Sequence, residues 1–200
     1  MNTKPSVLLI DANHEPSPDD LKYYIDWLEP FFKVNTSHVT GLESIDVAED
    51  CIVVTGSKLQ VTVDPIPKAL SKIYKETTKP LLAICWGHHA LAAAWGAKVI
   101  KQSFLISKKE ETINEDVNNI LFDELGMFFT AYESHFEHVV KNAKLTRNFH
   151  VIAHSNSCKV EGIWHKKRPL FGLQFHPERS PSGRTGYRIA RNFAKLVGKR

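Results

Sequence analysis

Short apolar runs alternate with amphipathic segments through the first half of the chain. Residues 7–10, 51–54 and 80–84 form continuous apolar runs, which are typical of strands buried on both faces of a sheet. A helix is predicted to begin at Ser17, where a capping serine precedes a proline, and a second over about residues 65–75. The order strand, helix, strand, helix, strand predicts a parallel sheet.

The second half of the chain is richer in predicted strands. These β segments span residues 99–107, 128–140, 151–154, 159–165 and 169–175, and a polar stretch, residues 108–119, separates the first two. A final helix is predicted over about residues 181–197, with an apolar face of Ile189, Phe193, Leu196 and Val197 and a basic face of Arg184, Arg188, Arg191 and Lys195. We interpret the basic face as solvated, with an acidic partner or phosphate as the alternative. The chain is therefore predicted to be one α/β domain over residues 1–200: an open, mostly parallel sheet with flanking helices and additional antiparallel β segments.

Composition and charge narrow the class of protein. Of 200 residues, 42% are hydrophobic and 24% are charged, which excludes a mainly disordered chain. No apolar run approaches the roughly 18 residues of a membrane span, so we expect no membrane association. Three cysteines at unrelated spacings form no disulfide framework, which favours the reducing cytoplasm. The net charge of +4 is too small to indicate nucleic acid binding.

The run from residue 80 to 97 predicts a strand that turns sharply into a helix at Cys85. This is the context of a nucleophile elbow, a tight turn that lifts a nucleophilic side chain above the sheet edge, with cysteine where hydrolases carry serine. Ala83 and Gly87 supply the small neighbours that such a turn requires, and the helix N-terminus favours the thiolate form. The alternative at this point is a buried structural cysteine, a common fate of this residue.

A second motif supplies a candidate base. Another apolar strand ends in Gln-Phe-His-Pro-Glu, which places His176 and Glu178 two residues apart. Side chains at that separation share a face of an extended chain, so Glu178 is placed to orient His176 as the base for Cys85 and the acid for a departing amine. Alone, the motif is typical of a solvated loop. However, both motifs leave the carboxyl ends of predicted parallel strands, where open α/β sheets place their sites.

With these motifs, the chain resembles the class I (triad) glutamine amidotransferase domains, and among them the GMP synthase-like group. The matching stretches are residues 53–57, 80–99, 132–135, 153–158 and 169–178. The resemblance implies that Cys85 is the nucleophile, His176 the base and acid, and Glu178 the third member of the triad. It further implies backbone oxyanion donors at Gly56, Ser57 and Trp86, and substrate-binding residues at His89, Ser134, His135 and Phe136.

Several positions near the triad residues depart from the family pattern, although the triad itself matches it. The elbow motif usually continues to a glutamine that contacts the substrate, and His89 stands there. Ser57 takes the place of a second glycine in the oxyanion loop, and Phe136 and Glu137 stand where Gly-Asp is common. These changes leave the triad intact and bear on glutamine specificity more than on hydrolysis.

The resemblance implies an enzyme that hydrolyses the side-chain amide of glutamine through a Cys85 thioester. The sequence carries no ATP-pyrophosphatase or P-loop segment, so we expect the ammonia to reach a synthetase subunit on a separate chain. Two alternatives stay open: a stand-alone γ-glutamyl peptide hydrolase, and a non-catalytic regulatory module with the same fold. The histidines beside the motifs do not present three metal ligands with a carboxylate, and we expect neither a metal nor a cofactor.

Overall fold

The structure, a computed structural model, describes residues 4–42, 47–179 and 183–198, with the exception of the Lys109 side chain. The strands found in these residues are β1 (Ser6–Asp11), β2 (Lys33–His38), β3 (Cys51–Val54), β4 (Leu81–Ile84), β5 (Val99–Glu115), β6 (Phe128–Val139), β7 (Phe149–His154), β8 (Gly162–His165) and β9 (Leu170–Leu173). The helices are α1 (Pro18–Leu28), α2 (Lys68–Glu76), α3 (Trp86–Ala94), α4 (Ala143–Asn148) and α5 (Arg184–Gly198). The strands form one sheet in the order β2-β1-β3-β4-β9-β8-β7-β5-β6.

The sheet changes character at β9. On one side of it, β2, β1, β3, β4 and β9 are parallel neighbours, and on the other side β8, β7, β5 and β6 continue in antiparallel pairs. The predicted α/β class and the mixed sheet are confirmed. The antiparallel part is larger than the prediction of a mostly parallel sheet implied, because parallel and antiparallel pairings are equally represented among the described strands.

Two apolar cores lie on opposite faces of the sheet, as alternating side chains require. Cys51 and Val53 of β3 pack with α1 and α5, whereas Ile52 and Val54 pack with α2 and α3. The interpretation of residues 51–54 as a strand buried on both faces therefore holds. Helices on both faces leave the carboxyl ends of β3, β4 and β9 together at one edge, where the predicted site residues emerge.

Two strands differ from the sequence prediction. The edge strand β2 was not predicted, because its sequence Lys-Val-Asn-Thr-Ser-His is mostly polar and its side chains are largely exposed or half-buried. Strand β5 continues through most of the polar stretch 108–119, where β6 pairs with it across a register shift between Lys108 and Glu111. Such a long antiparallel ribbon tolerates polar side chains on its exposed positions, so polarity there did not mark a loop.

The helices follow the prediction in part. Helix α4 was missed because it is only six residues long, and the Asn142 side chain caps it by accepting from two backbone N–H groups. The predicted start of the last helix, Pro181, lies outside the described residues. The predicted apolar face of this helix, α5, is buried at Ile189, Phe193 and Val197. No helix among the described residues is long and apolar enough to cross a membrane.

The basic face of α5 contacts its own chain. Arg191 and Lys195 form ion pairs with the Glu124 carboxylate at 3.0 and 3.7 Å, and the Arg188 guanidinium donates to the Glu124 carbonyl oxygen. Glu124 has a positive φ of 68°, so these cations hold a strained turn. Three of the four basic side chains of this face therefore bind Glu124 of the same chain, which argues against the alternative that the face binds an acidic partner or phosphate.

Candidate active site

Cys85 lies in the turn between β4 and α3. Its φ of 50° and ψ of −105° fall outside the regions that L-residues favour, and strain of this kind costs about 1–3 kcal/mol and is concentrated at functional sites. The surrounding contacts maintain it: the Cys85 N–H donates to the Leu173 carbonyl at 2.8 Å, and the Cys85 carbonyl accepts from the His89 N–H at 3.1 Å. A Cβ added at Gly87 would lie 3.1 Å from the carbonyl oxygens of Val54 and Thr55, so the turn needs a small residue there.

His176 and Glu178 follow β9 and form a close pair. His176 Nδ1 lies 2.7 Å from Glu178 Oε1, and the Glu178 side chain is fully buried. The His176 N–H donates to the Tyr132 carbonyl at 2.8 Å, which fixes the backbone next to β6. The predicted triad therefore comes together at the carboxyl ends of β4 and β9.

The electrostatics of this pair favour a charged imidazolium. Burial alone would lower the pKa of His176, but the charges of Glu178 and Cys85 outweigh it and hold this pKa well above its ordinary value. A histidine stabilised in its charged form next to a cysteine suits an ion pair of thiolate and imidazolium, which is the nucleophilic form of such a pair.

The predicted oxyanion donors lie around Cys85, with one of them already hydrogen-bonded. A Cβ added at Gly56 would lie 3.1 Å from His176 Cε1 and 3.3 Å from Cys85 Cβ, so a larger residue would crowd both side chains. The Gly56 N–H donates to the Tyr24 hydroxyl at 2.9 Å. Trp86 begins α3, and N–H groups in the first turn of a helix have no partner within that helix.

A cavity of about 520 Å³ opens over these residues. Its lining includes Cys85 and His176, the predicted oxyanion residues Gly56, Ser57 and Trp86, and the predicted substrate-binding residues His89, Ser134, His135 and Phe136. Glu178 lies behind His176 and does not line it. Phe136 is 44% exposed, so it forms part of the cavity rim, whereas His135 is buried. The Ser134 carbonyl lies 3.7 Å from Cys85 Sγ.

His89 lines the cavity, but other side chains hold its ring. His89 Nε2 lies 2.7 Å from Gln174 Oε1, and Gln174 Nε2 lies 3.9 Å from Cys85 Sγ. Burial lowers the pKa of His89 to about 3, so the ring is neutral and a neutral Nε2–H donates to Gln174. His89 therefore orients the Gln174 amide so that its NH₂ group faces the sulfur.

Glu137 fixes one wall of the cavity. Its buried carboxylate accepts the N–H groups of Val61 and Thr62 at 2.7 and 2.9 Å, and it lies 3.8 Å from His89 Nδ1. The residue that replaces the family's aspartate thus ties the loop after Ser57 to β6. It shapes the cavity through that loop.

Three contributors to the site were not singled out from the sequence. Gln174 stood inside the quoted motif without a role, and Glu137 was noted only as a departure from the family pattern. Tyr24 lies in the helix predicted to begin at Ser17, and helical spacing gives no signal that its hydroxyl reaches Gly56. Among the described residues, no three histidine, cysteine, aspartate or glutamate side chains converge as metal ligands would.

Comparison with known proteins gives the family. The family model described as glutamine amidotransferase class-I matches residues 30–196. A glutamine-hydrolysing GMP synthase subunit from Methanocaldococcus jannaschii is 31% identical over 82% of this chain and 82% of its own length. Its counterpart from Methanococcus aeolicus is 38% identical over 60% of this chain, and the match spans 61% of that protein.

Solved structures agree with the fold. A structure from Thermoplasma acidophilum, described as that of a GMP synthase subunit, superposes with a TM-score of 0.82 at 21% identity and covers 99% of this chain and 96% of its own. A glutamine amidotransferase from Thermotoga maritima gives a TM-score of 0.68 at 16% identity over 98% of this chain and 86% of its own. Together with the match of the family model to most of the sequence, these findings show that the chain belongs to the class-I glutamine amidotransferase family.

Proposed function

We propose that this protein hydrolyses the side-chain amide of glutamine through a thioester on Cys85 and supplies the ammonia to a separate synthetase of the GMP synthase type. The observation that carries the proposal is the placement of Cys85 on a strained elbow that shares one cavity with His176, which is itself paired to Glu178 at 2.7 Å. The curated relatives named above are GMP synthase subunits described as glutamine-hydrolysing.

The first half of the reaction forms the thioester. The Cys85 thiolate attacks the amide carbon, so that a sulfur–carbon bond forms and the carbonyl π electrons move to oxygen. Backbone N–H groups at Gly56, Ser57 and Trp86 are the candidate donors to this oxyanion. The imidazolium of His176 then protonates the nitrogen, the oxyanion re-forms the carbonyl, the carbon–nitrogen bond breaks, and ammonia leaves.

The second half returns the enzyme to its starting state. His176, now neutral, takes a proton from water, and the resulting hydroxide attacks the thioester carbon. The carbon–sulfur bond breaks, and glutamate and the thiolate are released. Glu178 stays paired with His176 Nδ1 and stabilises the imidazolium whenever it forms, as the buried acid of a triad does.

The cavity offers surfaces for the rest of the substrate. We assign substrate contacts to Ser134, His135 and Phe136, which lie along β6 on the cavity wall, and to His89 of α3. The three cysteines are free thiols, which supports a reducing compartment such as the cytoplasm as the place of the reaction.

Glutamine labelled with nitrogen-15 at its amide tests the whole proposal. We expect label in free ammonia when the protein acts alone and in GMP when a candidate GMP-forming synthetase and its substrates are added. The Cys85→Ala variant should transfer no label in either case. Labelled ammonia from Cys85→Ala at the wild-type rate would remove Cys85 from the chemistry. Hydrolysis of γ-glutamyl peptides, measured as release of their amino-acid leaving group, with no ammonia from glutamine would favour the stand-alone hydrolase.

A further inference from the structure

Tyr24 reaches the reacting groups from α1. Its side chain is buried, and its hydroxyl oxygen accepts the Gly56 N–H at 2.9 Å. A Cβ added at Gly56 would lie 3.2 Å from this hydroxyl oxygen, 3.1 Å from His176 Cε1 and 3.3 Å from Cys85 Cβ. The phenol, His176 and Cys85 therefore all pack against Gly56, and the phenol lies at the end of the N–H that the oxyanion would use.

The phenol is a competent acceptor in this position. Burial, followed by the charge of Glu178, raises the pKa of Tyr24 well above its ordinary value, so the hydroxyl is neutral and has lone pairs free to accept. An N–H that donates to a protein oxygen cannot donate to a tetrahedral intermediate at the same time. Loss of one oxyanion donor typically lowers the rate about 10²- to 10³-fold.

Contacts of its neighbours on α1 hold Tyr24 in place. The Trp27 indole N–H donates to the Gly186 carbonyl at 2.7 Å. Arg179, the neighbour of the triad acid, pairs with Asp20 at 2.9 Å and lies over the Tyr23 ring at 4.8 Å. Helix α1 is thus fixed to the segment that carries Glu178, and the Tyr24 hydroxyl keeps its place without any substrate.

We propose that Tyr24 is a positioning residue that closes the oxyanion site of the free protein by holding the Gly56 N–H until α1 or the loop at Gly56 moves. This inference rests on the part of the proposed function in which Cys85 attacks a carbonyl group, and it does not depend on glutamine as the substrate.

Two reactions of Cys85 separate the oxyanion site from the sulfur. With p-nitrophenyl acetate, the sulfur–carbon bond forms through an oxyanion and p-nitrophenolate leaves. With iodoacetamide, the sulfur displaces iodide at a saturated carbon and no oxyanion forms. We expect Tyr24→Phe to raise the rate of Cys85 acylation by the ester at least tenfold and to leave the rate of alkylation within about twofold of wild type. Tyr23→Phe, which removes a hydroxyl from an exposed ring on the same helix, should change neither rate, and Cys85→Ala gives the background.

Other outcomes would overturn the proposal. An acylation rate that is unchanged or lower in Tyr24→Phe would show that the phenol supports the site, and an equal rise in both rates would show that the sulfur had become more accessible. If Tyr24→Phe fails to fold, hydrogen exchange of the Gly56 amide in the wild-type protein decides: slow exchange supports the hydrogen bond, and exchange at the rate of an exposed amide contradicts it. Failure of the proposed function would show separately, as no ammonia from glutamine in any variant.

Discussion

At the scale of single residues, the triad divides its work unequally. In the proposed reaction, Cys85 and His176 exchange bonds and protons with the substrate, whereas Glu178, which lies behind His176, acts through its charge. We expect Cys85→Ala and His176→Ala each to lower kcat by roughly 10⁵- to 10⁶-fold, because nucleophile and base act as a unit. Glu178→Gln should lower kcat by less, roughly 10³- to 10⁴-fold. Steady-state ammonia release at saturating glutamine measures all three.

The pH profile of Glu178→Gln distinguishes its role from a structural one. The Glu178 charge opposes the effect of burial and raises the pKa of His176, so its removal should move the titration of His176 to lower pH. NMR of labelled histidine follows this directly. A pH profile that is unchanged while kcat falls would contradict the assignment of Glu178 as the group that holds the imidazolium.

A second prediction at this scale concerns His89. Glutamine at this position retains an amide N–H for Gln174 Oε1, so His89→Gln should leave kcat/KM for glutamine within about threefold of wild type or raise it. It should also change the preference between glutamine and γ-glutamyl peptides, because the side chain lines the cavity. His89→Ala is the contrasting variant. It leaves the buried Gln174 carbonyl unpaired, which should lower the free energy of unfolding by about 1–3 kcal/mol. Identical kinetics for every substrate in His89→Gln would place the side chain outside the binding surface.

At the scale of elements, the triad depends on the close approach of α5 to the Pro177–Arg179 turn. A Cβ added at Gly186 would lie 2.1 Å from the Pro177 carbonyl oxygen, so Gly186→Ala must push α5 away from the segment that carries Glu178. We expect a loss of about 1–3 kcal/mol in the free energy of unfolding and a fall in kcat larger than any change in KM. Denaturant unfolding and steady-state kinetics measure the two effects.

The matched control for this prediction lies in the same helix. Gly198 has no atom within 4 Å of an added Cβ, so Gly198→Ala should change the stability by less than about 0.5 kcal/mol and leave kcat unaltered. Equal effects of the two substitutions would mean that helix propensity, and not the contact with Pro177, determines the result.

The elements also show which parts of the fold the sequence could predict. Strands such as β3 and β4 are apolar on both faces, and the elbow needs small residues at fixed positions, so local patterns sufficed there. Strand β2 lies at an edge and β5 belongs to a ribbon, where pairing with a neighbour stabilises polar sequences that resemble loops. The contact of the Tyr24 hydroxyl with Gly56 could be recognised only from the way α1 packs, because the two residues are 32 positions apart in the sequence.

At the scale of the whole molecule, a buried pair of acids affects stability. Burial raises the pKa of Glu133 to about 7, and burial together with the charge of Glu133 raises that of Glu161 well above its ordinary value. Both groups therefore bind more protons in the folded state than in the unfolded chain. The contribution of this pair to stability should be fully present below about pH 4.5 and should be lost as the pH rises towards 7 and beyond.

The Glu161→Gln substitution tests this linkage. It removes one ionisable group of the pair. Between pH 5 and 8, the free energy of unfolding of this variant should therefore fall less than that of the wild type, by a difference on the order of 1–3 kcal/mol. Glu76→Gln, at an exposed position, should keep the wild-type dependence. Urea unfolding at a series of pH values gives both slopes, and parallel curves for Glu161→Gln and the wild type would exclude this pair as the cause.

The whole molecule is also the scale at which a partner acts. Uncoupled hydrolysis would waste glutamine and ammonia, and in the free protein the Gly56 N–H donates to Tyr24. Glycine has the backbone freedom to turn its peptide when a partner binds. We therefore expect weak glutaminase activity from the isolated chain and a rise of at least tenfold in kcat when its synthetase is added. Ammonia release with and without that synthetase measures the rise. A fast isolated enzyme that prefers γ-glutamyl peptides would contradict this prediction, because such a hydrolase needs no partner to open its oxyanion site.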